Sequence, residues 1–501
     1  MRKSKYHGAG AIRRSGFVTY VALAGIAAGS VLGPLGGTAA FAQSVDLSQW
    51  SPDYVRSIAG TETYDTASDC GAVVPNDYAG RVTYWYTGSF EPDPIISHEQ
   101  EAAFWEAFKM AYPNIQVDAQ SIVYAELLDK FRTALLGNAA PMAVRLQILG
   151  GVEFAAKGYL EPLKPEDVGY SSADFWPGAL KSVTHDGVGY GIPTNNETMA
   201  FIWNAKIFAD AGLDPEKPPA TWDEVVAYSK QIKDSLGIPG YGLVAKPNHG
   251  NTPFRFMPQL WAYGGGALDE AREAPTYETV ELNSAGSKAA LQAAHDMYVR
   301  DKSVPTSALT NSQAENQAPF IAGQLAMMIA HPSEYARMID LAATATGADK
   351  AAADSVIANM RYGLIPEGPV RRAVVFGGSN IHIVKPEYVE GGTDDMAVKA
   401  LVCMYTSPEW STKLSWVGSN PGHLGGFKTE WMKERLDTIK FLDVTTSMLP
   451  NGIPFPVIPE APEIMNIIVP DMLQNALTGT MTVDEAAEAA ATQVQELVDG
   501  M

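Results

Sequence analysis

Short apolar runs alternate with longer segments of helical periodicity along the chain from residue 80 onward. Residues 80–86 and 115–119 predict strands, and residues 199–203 form a continuous apolar run, which is typical of a strand covered on both faces. Between them, residues 127–135 repeat leucine and phenylalanine every three or four positions, as in an amphipathic helix. This alternation predicts an α/β fold, an open sheet with helices on both faces.

Capping residues set the predicted helix boundaries. Asn204 precedes one helix, and Gly212 follows it, as N-cap and C-terminal stop residues do. Thr221 and Thr482 each stand three residues before a glutamate, which is the capping-box pattern. Asn283 is predicted to open a further helix that reaches about residue 300.

The N-terminal segment has the three parts of a secretory signal peptide. Five basic residues precede an apolar run at 17–32, and Ala-Phe-Ala at 40–42 provides small residues for cleavage. The run is short for a membrane anchor, the alternative interpretation, and no cysteine follows it that could carry a lipid. We predict a periplasmic protein that begins at Gln43. Export follows the Sec route or, because Arg13 and Arg14 resemble a twin-arginine signal, the twin-arginine route.

Removing residues 1–42 leaves 459 residues, enough for two or three domains, and changes the net charge from −21 to −26. Such a surface repels phosphate groups, which disfavours nucleic acid or an anionic membrane as a partner. The negative charge needs no specific partner, because it keeps a secreted protein soluble. Residues 43–78 are polar with few periodic apolar positions and are predicted to be an extension to the fold.

The sequence carries no motif for a metal, a cofactor or a known catalytic site. Cys70 and Cys403 are the two cysteines, and neither belongs to a zinc-binding pattern. They could pair in an oxidising compartment, although the apolar helical surroundings of Cys403 favour a small core residue. Nucleophile elbows, Walker loops and dinucleotide fingerprints are absent from the sequence. A glycoside hydrolase with two carboxylates has no such motif and stays open as an alternative.

Several short segments resemble one family in type and order. They are GYLEPL at 158–163, GIPTNNETMAFIWN at 191–204, FIAGQLAMM at 320–328, the glycine pair at 377–378, SPEW at 407–410 and LTGTMTVDEA at 477–486. Together they resemble the bacterial extracellular solute-binding proteins that feed ABC importers, the family that includes maltose-binding protein. The chain departs from this family at 141–145, PMAVR, where members commonly carry Pro-Asp-Val.

The resemblance implies a two-lobed periplasmic binding protein fold of type II, with a ligand cleft between lobes joined by crossing strands. We expect the first lobe to comprise residues 79–195 and 374–424, and the second lobe to comprise residues 196–373 and 425–501. Ligand would bind the closed form preferentially, and an ABC permease in the inner membrane would recognise that form. The resemblance thus implies a monomeric carrier rather than an enzyme, with a sugar as its small-molecule ligand.

A sugar site needs aromatic platforms for C–H faces and polar groups for hydroxyls. Aromatic candidates lie at strand ends or beside flexible turns: Trp85, Tyr86, Trp261 and Tyr263. The resemblance adds His331, at the place where relatives often carry a stacking aromatic. Core packing is the alternative explanation for each of them.

Polar candidates lie in the predicted crossing segments. They are Asn195, Asn196 and Glu197 in the first crossing, and Gly378, Ser379 and Asn380 in the second. Turn formation alone would explain the asparagines. Arg145 could instead clamp an acidic ligand through two parallel hydrogen bonds. The preferred ligand is a mono- or oligosaccharide, and a polyamine or an organic acid is the non-sugar alternative.

Overall fold

The computed structural model describes residues 49–89, 98–273, 275–415 and 418–500, so the predicted signal peptide lies outside the described residues. These ranges hold 20 α-helices and 13 strands, with short 3-10 and π-helical turns. The α-helices are α1 Pro52–Ile58, α2 Thr66–Gly71, α3 His98–Ala111, α4 Tyr124–Leu136, α5 Gly151–Ala156, α6 Pro177–Lys181, α7 Ala205–Asp210, α8 Trp222–Leu236, α9 Asn251–Ala262, α10 Ala285–His295, α11 Gln313–Ile321, α12 Pro332–Thr344, α13 Gly347–Asn359, α14 Asp395–Thr406, α15 Pro408–Lys413, α16 Glu430–Thr438, α17 Leu442–Ser447, α18 Ala461–Glu463, α19 Val469–Thr478 and α20 Val483–Asp499. The strands are β1 Gly80–Ser89, β2 Ile115–Val123, β3 Ala143–Gln147, β4 Thr184–His185, β5 Val188–Gly189, β6 Ile192–Glu197, β7 Ala200–Asn204, β8 Met327–Ala330, β9 Met360–Gly363, β10 Val374–Val375, β11 Gly377–Ile383, β12 Asn420–Pro421 and β13 Gly452–Ile453.

Two main sheets organise the fold. The larger has the order β12-β6-β11-β3-β1-β2, in which β1 is parallel to β2 and β3, and β11 is antiparallel to β3 and β6. The smaller has the order β8-β7-β9 and is antiparallel throughout. All five residues of β7 are buried, which confirms the two-sided covering predicted from its apolar run.

Each main sheet has its own hydrophobic core. Tyr84 and Ile381 belong to the core of the larger sheet, which helices α3, α4 and α14 complete. In the smaller sheet Phe201 faces α8, α9, α10, α19 and α20, whereas its strand neighbours Ala200 and Ile202 face α11, α12 and α13. We call these two bodies the larger-sheet lobe and the smaller-sheet lobe. Within the described residues, no helix is both long enough and apolar enough to cross a membrane.

Most helix caps follow the sequence signals. The Asn204 side chain accepts hydrogen bonds from two amides of α7 at 3.0 and 3.3 Å, and Thr482 forms the predicted capping box of α20. The prediction that Asn283 opens α10 is wrong by one residue. Ser284 caps this helix, since its hydroxyl accepts from the Ser287 amide at 3.2 Å, and the Asn283 side-chain amide donates to Glu488 at 2.9 Å.

The capping box predicted at the start of α8 forms only in part. Thr221 accepts from the Glu224 amide at 3.2 Å, as predicted for the N-cap. The Glu224 carboxylate accepts instead from the amide of Ala220, so the reciprocal bond to Thr221 is replaced by a bond one residue earlier. The predicted start of α8 is therefore confirmed, but the second hydrogen bond of the capping box goes to Ala220 instead of Thr221.

The segment before residue 79 is more ordered than its polar composition suggests. It forms α1 and α2 and contributes Trp50 and Val55 to a small core that includes Phe427 and Leu442. Val55, Cys70 and Val74 are fully buried, whereas Tyr54, Ile58 and Val73 are partly exposed. Prediction from periodicity missed both helices because each is only six or seven residues long.

Cys70 and Cys403 form a disulfide bond, with 5.8 Å between their Cα atoms. The bond links α2 to α14, 333 residues apart along the chain. Both cysteines also lie in the larger-sheet core. Cys403 therefore has the core position that its surroundings favoured, and it is also paired, which the sequence had left open.

Candidate functional site

Strands β6 and β11 bring the two groups of polar candidates together. Gly378 pairs with Asn196 and Ser379 with Asn195 in the antiparallel register, and β3 lies on the other side of β11. The Asn196 amide also donates to the carbonyl of Pro421 in β12 at 2.9 Å. Residues that lie far apart in sequence thus form one continuous patch across three neighbouring strands.

Gly378 allows the close approach of β11 to β6. Its φ of +141° lies in a region that residues with side chains rarely adopt, and a Cβ built there would lie 2.1 Å from the carbonyl oxygen of Asn195. The neighbour is backbone and cannot move aside. Glycine at this position is therefore required by the backbone of the patch, whatever binds there.

Arg145 is hydrogen-bonded to residues of the first crossing segment. The side chain is 1% exposed, and it donates to Thr194 Oγ1 at 2.9 Å and to Asn195 Oδ1 at 2.6 Å. Thr194 in turn donates to the carbonyl of Ser379 at 2.8 Å, which connects β6 to β11 through side chains. The arginine, predicted as a clamp for acidic ligands, thus bonds to the protein itself and fixes the shape of the patch.

Glu197 is the last residue of β6, and its carboxyl group is the candidate ligand contact in the patch. One carboxylate oxygen accepts from Asn195 Nδ2 and from Ser419 Oγ, each at 3.2 Å. Burial raises the pKa of Glu197 to about 7, and the hydrogen bonds and the nearby Arg145 charge offset only part of that effect. The side chain keeps some contact with solvent. Within the described residues, both of these hydrogen bonds go to the same carboxylate oxygen, so the other oxygen of Glu197 can accept from a ligand.

Aromatic rings lie beside this carboxylate. A Cβ built on Gly377 would lie 3.3 Å both from Glu197 Cβ and from a ring carbon of Phe254, so these two side chains flank the same backbone. The Phe254 ring meets that of Phe455 edge to face, with centroids 5.0 Å apart. A carboxylate next to apolar ring faces can bind a hydroxyl and a C–H face of one molecule.

A small cavity adjoins the patch between the two lobes. One wall consists of Ile148, Leu149, Val152 and Ser182, and the other of residues 454–458. Its volume of about 10 Å³ holds roughly one water molecule. Asn380 reaches this wall, since its Nδ2 donates to Ser182 Oγ at 3.1 Å. The cavity thus lies next to Asn380, a candidate of the second crossing.

Two aromatic candidates lie in β1. Tyr86 is 5% exposed and stacks on Tyr84 in the larger-sheet core, with ring centroids 5.3 Å apart. Trp85 alternates to the opposite side of the strand and is partly exposed. Trp85 is therefore the more exposed of the two residues, although it also packs against the larger-sheet core that buries Tyr86.

The other two aromatics are placed within the smaller-sheet lobe. Trp261 is fully buried, and its indole N–H donates to Glu270 at 2.7 Å. Tyr263 is partly exposed and donates to Asp223, and burial raises the pKa of its hydroxyl. Neither residue is brought to the crossing strands. Core packing and a buried hydrogen bond explain Trp261 without a ligand.

His331 caps α12 rather than standing free. Its Nδ1 lies 2.7 Å from Ser333 Oγ. Burial lowers the pKa of His331 to about 3, helped by the charges of Arg255 and Arg435, so the ring is neutral at physiological pH. Arg435 donates to the carbonyl of Ser419, the residue that also bonds Glu197. The histidine thus borders the patch without contributing a charge to it.

Sequence reasoning missed Ser182, Phe254, Ser419 and Phe455. None of them lies in a motif, and each reaches the patch through packing between distant segments. The nearest signal was the predicted lobe boundary at residue 424, shortly after β12. Among the described residues, no group of three or more histidine, cysteine, aspartate or glutamate side chains is arranged to hold a metal ion.

Comparison with known proteins places this geometry in context. The model of the bacterial extracellular solute-binding protein family matches residues 97–409. A binding protein of Brucella abortus (strain 2308) is 24% identical over 404 residues, which cover 78% of this chain and 88% of the relative.

Solved structures share the fold. A solute-binding protein of an ABC transporter from Thermotoga lettingae, bound with α-D-tagatose, is 24% identical and has a TM-score of 0.65 over 84% of this chain and all of that one. The cyclic α-maltosyl-1,6-maltose binding protein from Arthrobacter globiformis is 20% identical, with a TM-score of 0.67 over 85% of this chain and all of that one. The predicted two-lobed α/β fold is confirmed.

Proposed function

Because the chain belongs to the bacterial extracellular solute-binding protein family, we propose that it is the substrate-binding component of an ABC importer whose ligand is a mono- or oligosaccharide. The ligand site is the patch around Glu197, between the larger-sheet and smaller-sheet lobes. Ligand enters an open form, the lobes close around it, and a permease in the inner membrane recognises the closed form. The protein acts in the periplasm as a monomer, after export by the Sec or the twin-arginine route.

The observation that supports this proposal is the pairing of Glu197 with Phe254. A carboxylate with unused acceptor capacity accepts hydroxyl hydrogen bonds, and the adjacent ring packs against the C–H face of a pyranose. Partly exposed Trp85 is a second candidate platform. The neighbours with tagatose and with a cyclic maltosyl-maltose support a saccharide over other solutes.

Lobe boundaries follow from the same proposal. We place the first lobe at residues 79–195 and 374–424 and the second lobe at residues 196–373 and 425–501. The chain then passes between lobes within β6, at the start of β10 and shortly after β12. The family assignment favours binding over turnover. Hydrolysis of a glycosidic bond uses a pair of carboxyl groups, whereas the partners of Glu197 in the patch are an amide and a hydroxyl.

A thermal-shift panel on the mature protein tests the ligand class. The saccharide panel comprises D-tagatose, maltose and maltotetraose, and spermidine and citrate represent the polyamine and organic-acid alternatives. We expect at least one saccharide to raise the melting temperature in a concentration-dependent way, because a ligand that binds only the folded state stabilises it. Native mass spectrometry then gives the stoichiometry, expected as one ligand per chain.

Stabilisation by spermidine or citrate alone would overturn the saccharide assignment. Release of shorter sugars from maltotetraose would overturn the binding-only role and favour a glycoside hydrolase. Glu197→Ala is expected to abolish the saccharide shift, and Glu270→Gln, a change at a buried carboxyl outside the patch, should preserve it.

A further inference from the structure

A buried group of polar side chains lies in the smaller-sheet lobe, where α9, α11 and the start of α12 meet. We call it the polar cluster; its members are Arg255, Gln317, His331 and Glu334, with exposed fractions between 3% and 8%. The Glu334 carboxylate joins the other members. It pairs with the guanidinium of Arg255 and accepts from the Gln317 side-chain amide at 3.5 Å and from the His331 backbone amide at 3.3 Å.

The position of the proton on the His331 ring follows from the cap of α12. Nδ1 accepts the backbone N–H of Ser333 at 3.2 Å. The ring is neutral, because burial and the nearby arginine charges lower the pKa of His331 to about 3. A neutral imidazole whose Nδ1 accepts carries its proton on Nε2. Within the described residues, this buried Nε2–H donor has no hydrogen-bond partner.

Two further atoms of the polar cluster are buried and have no partner in the described part of the chain. Gln317 uses Nε2 to bond to Glu334, which leaves its Oε1 as an acceptor. Arg255 donates through Nη1 to Asn251 at 2.7 Å and through Nη2 to Glu334, which leaves its Nε–H as a donor. Folded proteins leave few buried polar atoms unpaired, since each one costs free energy. Such atoms on three side chains around one carboxylate indicate a site that a polar molecule completes.

The polar cluster adjoins the patch through two elements. In α9, Arg255 directly follows Phe254, the ring that lies beside Glu197. At the start of α12, the Cβ of Pro332 lies 2.5 Å from a Cβ built on Gly418, the residue before the serine that bonds to Glu197. A ligand held between Glu197 and Phe254 is therefore next to the cluster.

The chemistry of the polar cluster selects hydroxyl groups. It offers two N–H donors and one carbonyl acceptor, and a hydroxyl both donates and accepts, whereas an ammonium only donates and a carboxylate only accepts. The charges around it also balance. Arg255 is paired with Glu334, and Arg435, whose charge acts on His331, bonds to the serine that contacts Glu197. These two arginines and two glutamates carry no net charge when Glu197 is ionised.

We propose that Arg255, Gln317 and His331 form a second hydroxyl-binding subsite, which binds the part of a neutral saccharide that extends from Glu197 into the smaller-sheet lobe. The inference rests on the proposed function and adds specificity-determining residues to the same site. Ligand hydroxyls donate to Gln317 Oε1 and accept from His331 Nε2–H and Arg255 Nε–H. An analogue without these hydroxyls leaves the buried atoms unpaired and is rejected for that reason.

Calorimetric titration at pH 8, with the saccharide that gives the largest thermal shift, tests the subsite. Gln317→Leu removes the acceptor, and His331→Asn removes the Nε2–H donor while keeping a good N-cap residue. The matched control is Gln259→Leu, one turn further along α9, where the glutamine is 1% exposed and donates to the carbonyl of Ala290 in α10 at 3.5 Å. We expect affinity about tenfold lower in both subsite variants and unchanged in the control.

Urea unfolding of the ligand-free variants separates a ligand contact from a structural role. Because Gln317 Oε1 is unpaired without ligand, Gln317→Leu should keep the wild-type unfolding midpoint although it binds more weakly. A lower midpoint with wild-type affinity in both variants would show that the cluster serves folding alone and would overturn the subsite.

The outcomes also distinguish the subsite from the proposed function. Weaker binding in Glu197→Ala, with wild-type affinity in Gln317→Leu and His331→Asn, would overturn the subsite and leave the proposed function in place. Binding of spermidine or citrate by the wild type, and of no saccharide, would overturn both.

Discussion

Two glutamates, Glu197 and Glu270, have similarly raised pKa values but differ in their exposure and in their hydrogen-bond donors. Burial raises the pKa of each to about 7. Glu270 is 3% exposed and accepts three N–H donors, the indole of Trp261 at 2.7 Å and the amides of Ala267 and Leu268 at 2.9 and 2.7 Å. Glu197 accepts two side-chain donors at 3.2 Å and keeps some exposure.

The difference separates a structural carboxyl from a ligand-binding one. A raised pKa marks both, so burial alone does not identify a site. Glu270 accepts strong bonds from rigid donors and closes a turn around Trp261. Glu197 accepts weaker bonds from side chains that can turn towards a ligand, and it lies where three segments of the fold meet. Unused acceptor capacity at a junction between lobes is the feature that distinguishes it.

The largest expected effect concerns the backbone that supports Glu197. Gly378→Ala should lower the free energy of unfolding by about 4 kcal/mol, because the new Cβ would collide with the carbonyl of Asn195. Gly187→Ala is the control, since its φ of +76° is also positive but no atom lies within 4 Å of the added Cβ. It should cost about 1 kcal/mol. Equal losses in urea unfolding would show that the patch backbone is not fixed in this way.

The second effect compares the two carboxyls directly at pH 5. Glu270→Ala should cost about 3 kcal/mol, because it leaves one indole and two amide N–H groups buried without an acceptor. Glu197→Ala should cost about 1 kcal/mol, since Asn195 and Ser419 lose only long bonds. Chemical denaturation of both variants measures the difference. A larger loss at Glu197 would reverse the structural assignment of the two sites.

The third effect is the pH dependence of the free energy of unfolding. A carboxyl whose pKa is raised in the folded state binds more protons there than in the unfolded state, so stability falls as pH rises between about 4.5 and 7. We expect a loss of about 3 kcal/mol for Glu270, and of about 2 kcal/mol for Glu197 after allowance for its contact with solvent. Glu197→Gln and Glu270→Gln should each remove part of the decline measured from pH 4.5 to pH 8. A Gln variant with the wild-type pH profile would rule out the raised pKa at that position.

The smallest effect concerns ligand affinity and compares two aromatic rings, one beside Glu197 and one beside Glu270. Phe254→Ala should weaken the affinity for a bound saccharide by about 1 kcal/mol, because the ring beside Glu197 is lost. Trp261→Phe should lower stability through the lost bond to Glu270 and leave affinity unchanged. Titration of the saccharide that gives the largest thermal shift measures both. Weaker binding in the tryptophan variant alone would move the site into the smaller-sheet lobe.

Local signals in the sequence were sufficient for much of the fold. The cap at Asn204, the buried strand β7 and the capping box at Thr482 depend on neighbours within a few residues, and the structure confirms each. These elements are specified by short-range bonding and hydrophobic period.

Long-range partners could not be predicted in this way. Nothing near Trp261 in sequence indicates that Glu270 accepts its N–H, and nothing near Cys70 indicates Cys403. Phe254 and Phe455 become neighbours only when segments far apart along the chain pack together. The aromatic and the polar candidates were both chosen by their position at strand ends and turns, and burial in the structure separated the aromatic ones.

The central claim is that Glu197, and not Glu270, binds the ligand. Calorimetric titration of wild type, Glu197→Ala and Glu270→Gln with the saccharide panel tests it most directly, at pH 8 where both carboxyls are largely ionised. We predict one site per chain in the wild type, affinity at least tenfold lower in Glu197→Ala, and wild-type affinity in Glu270→Gln. Absence of binding to every saccharide, or equal affinity in wild type and Glu197→Ala, would contradict the account.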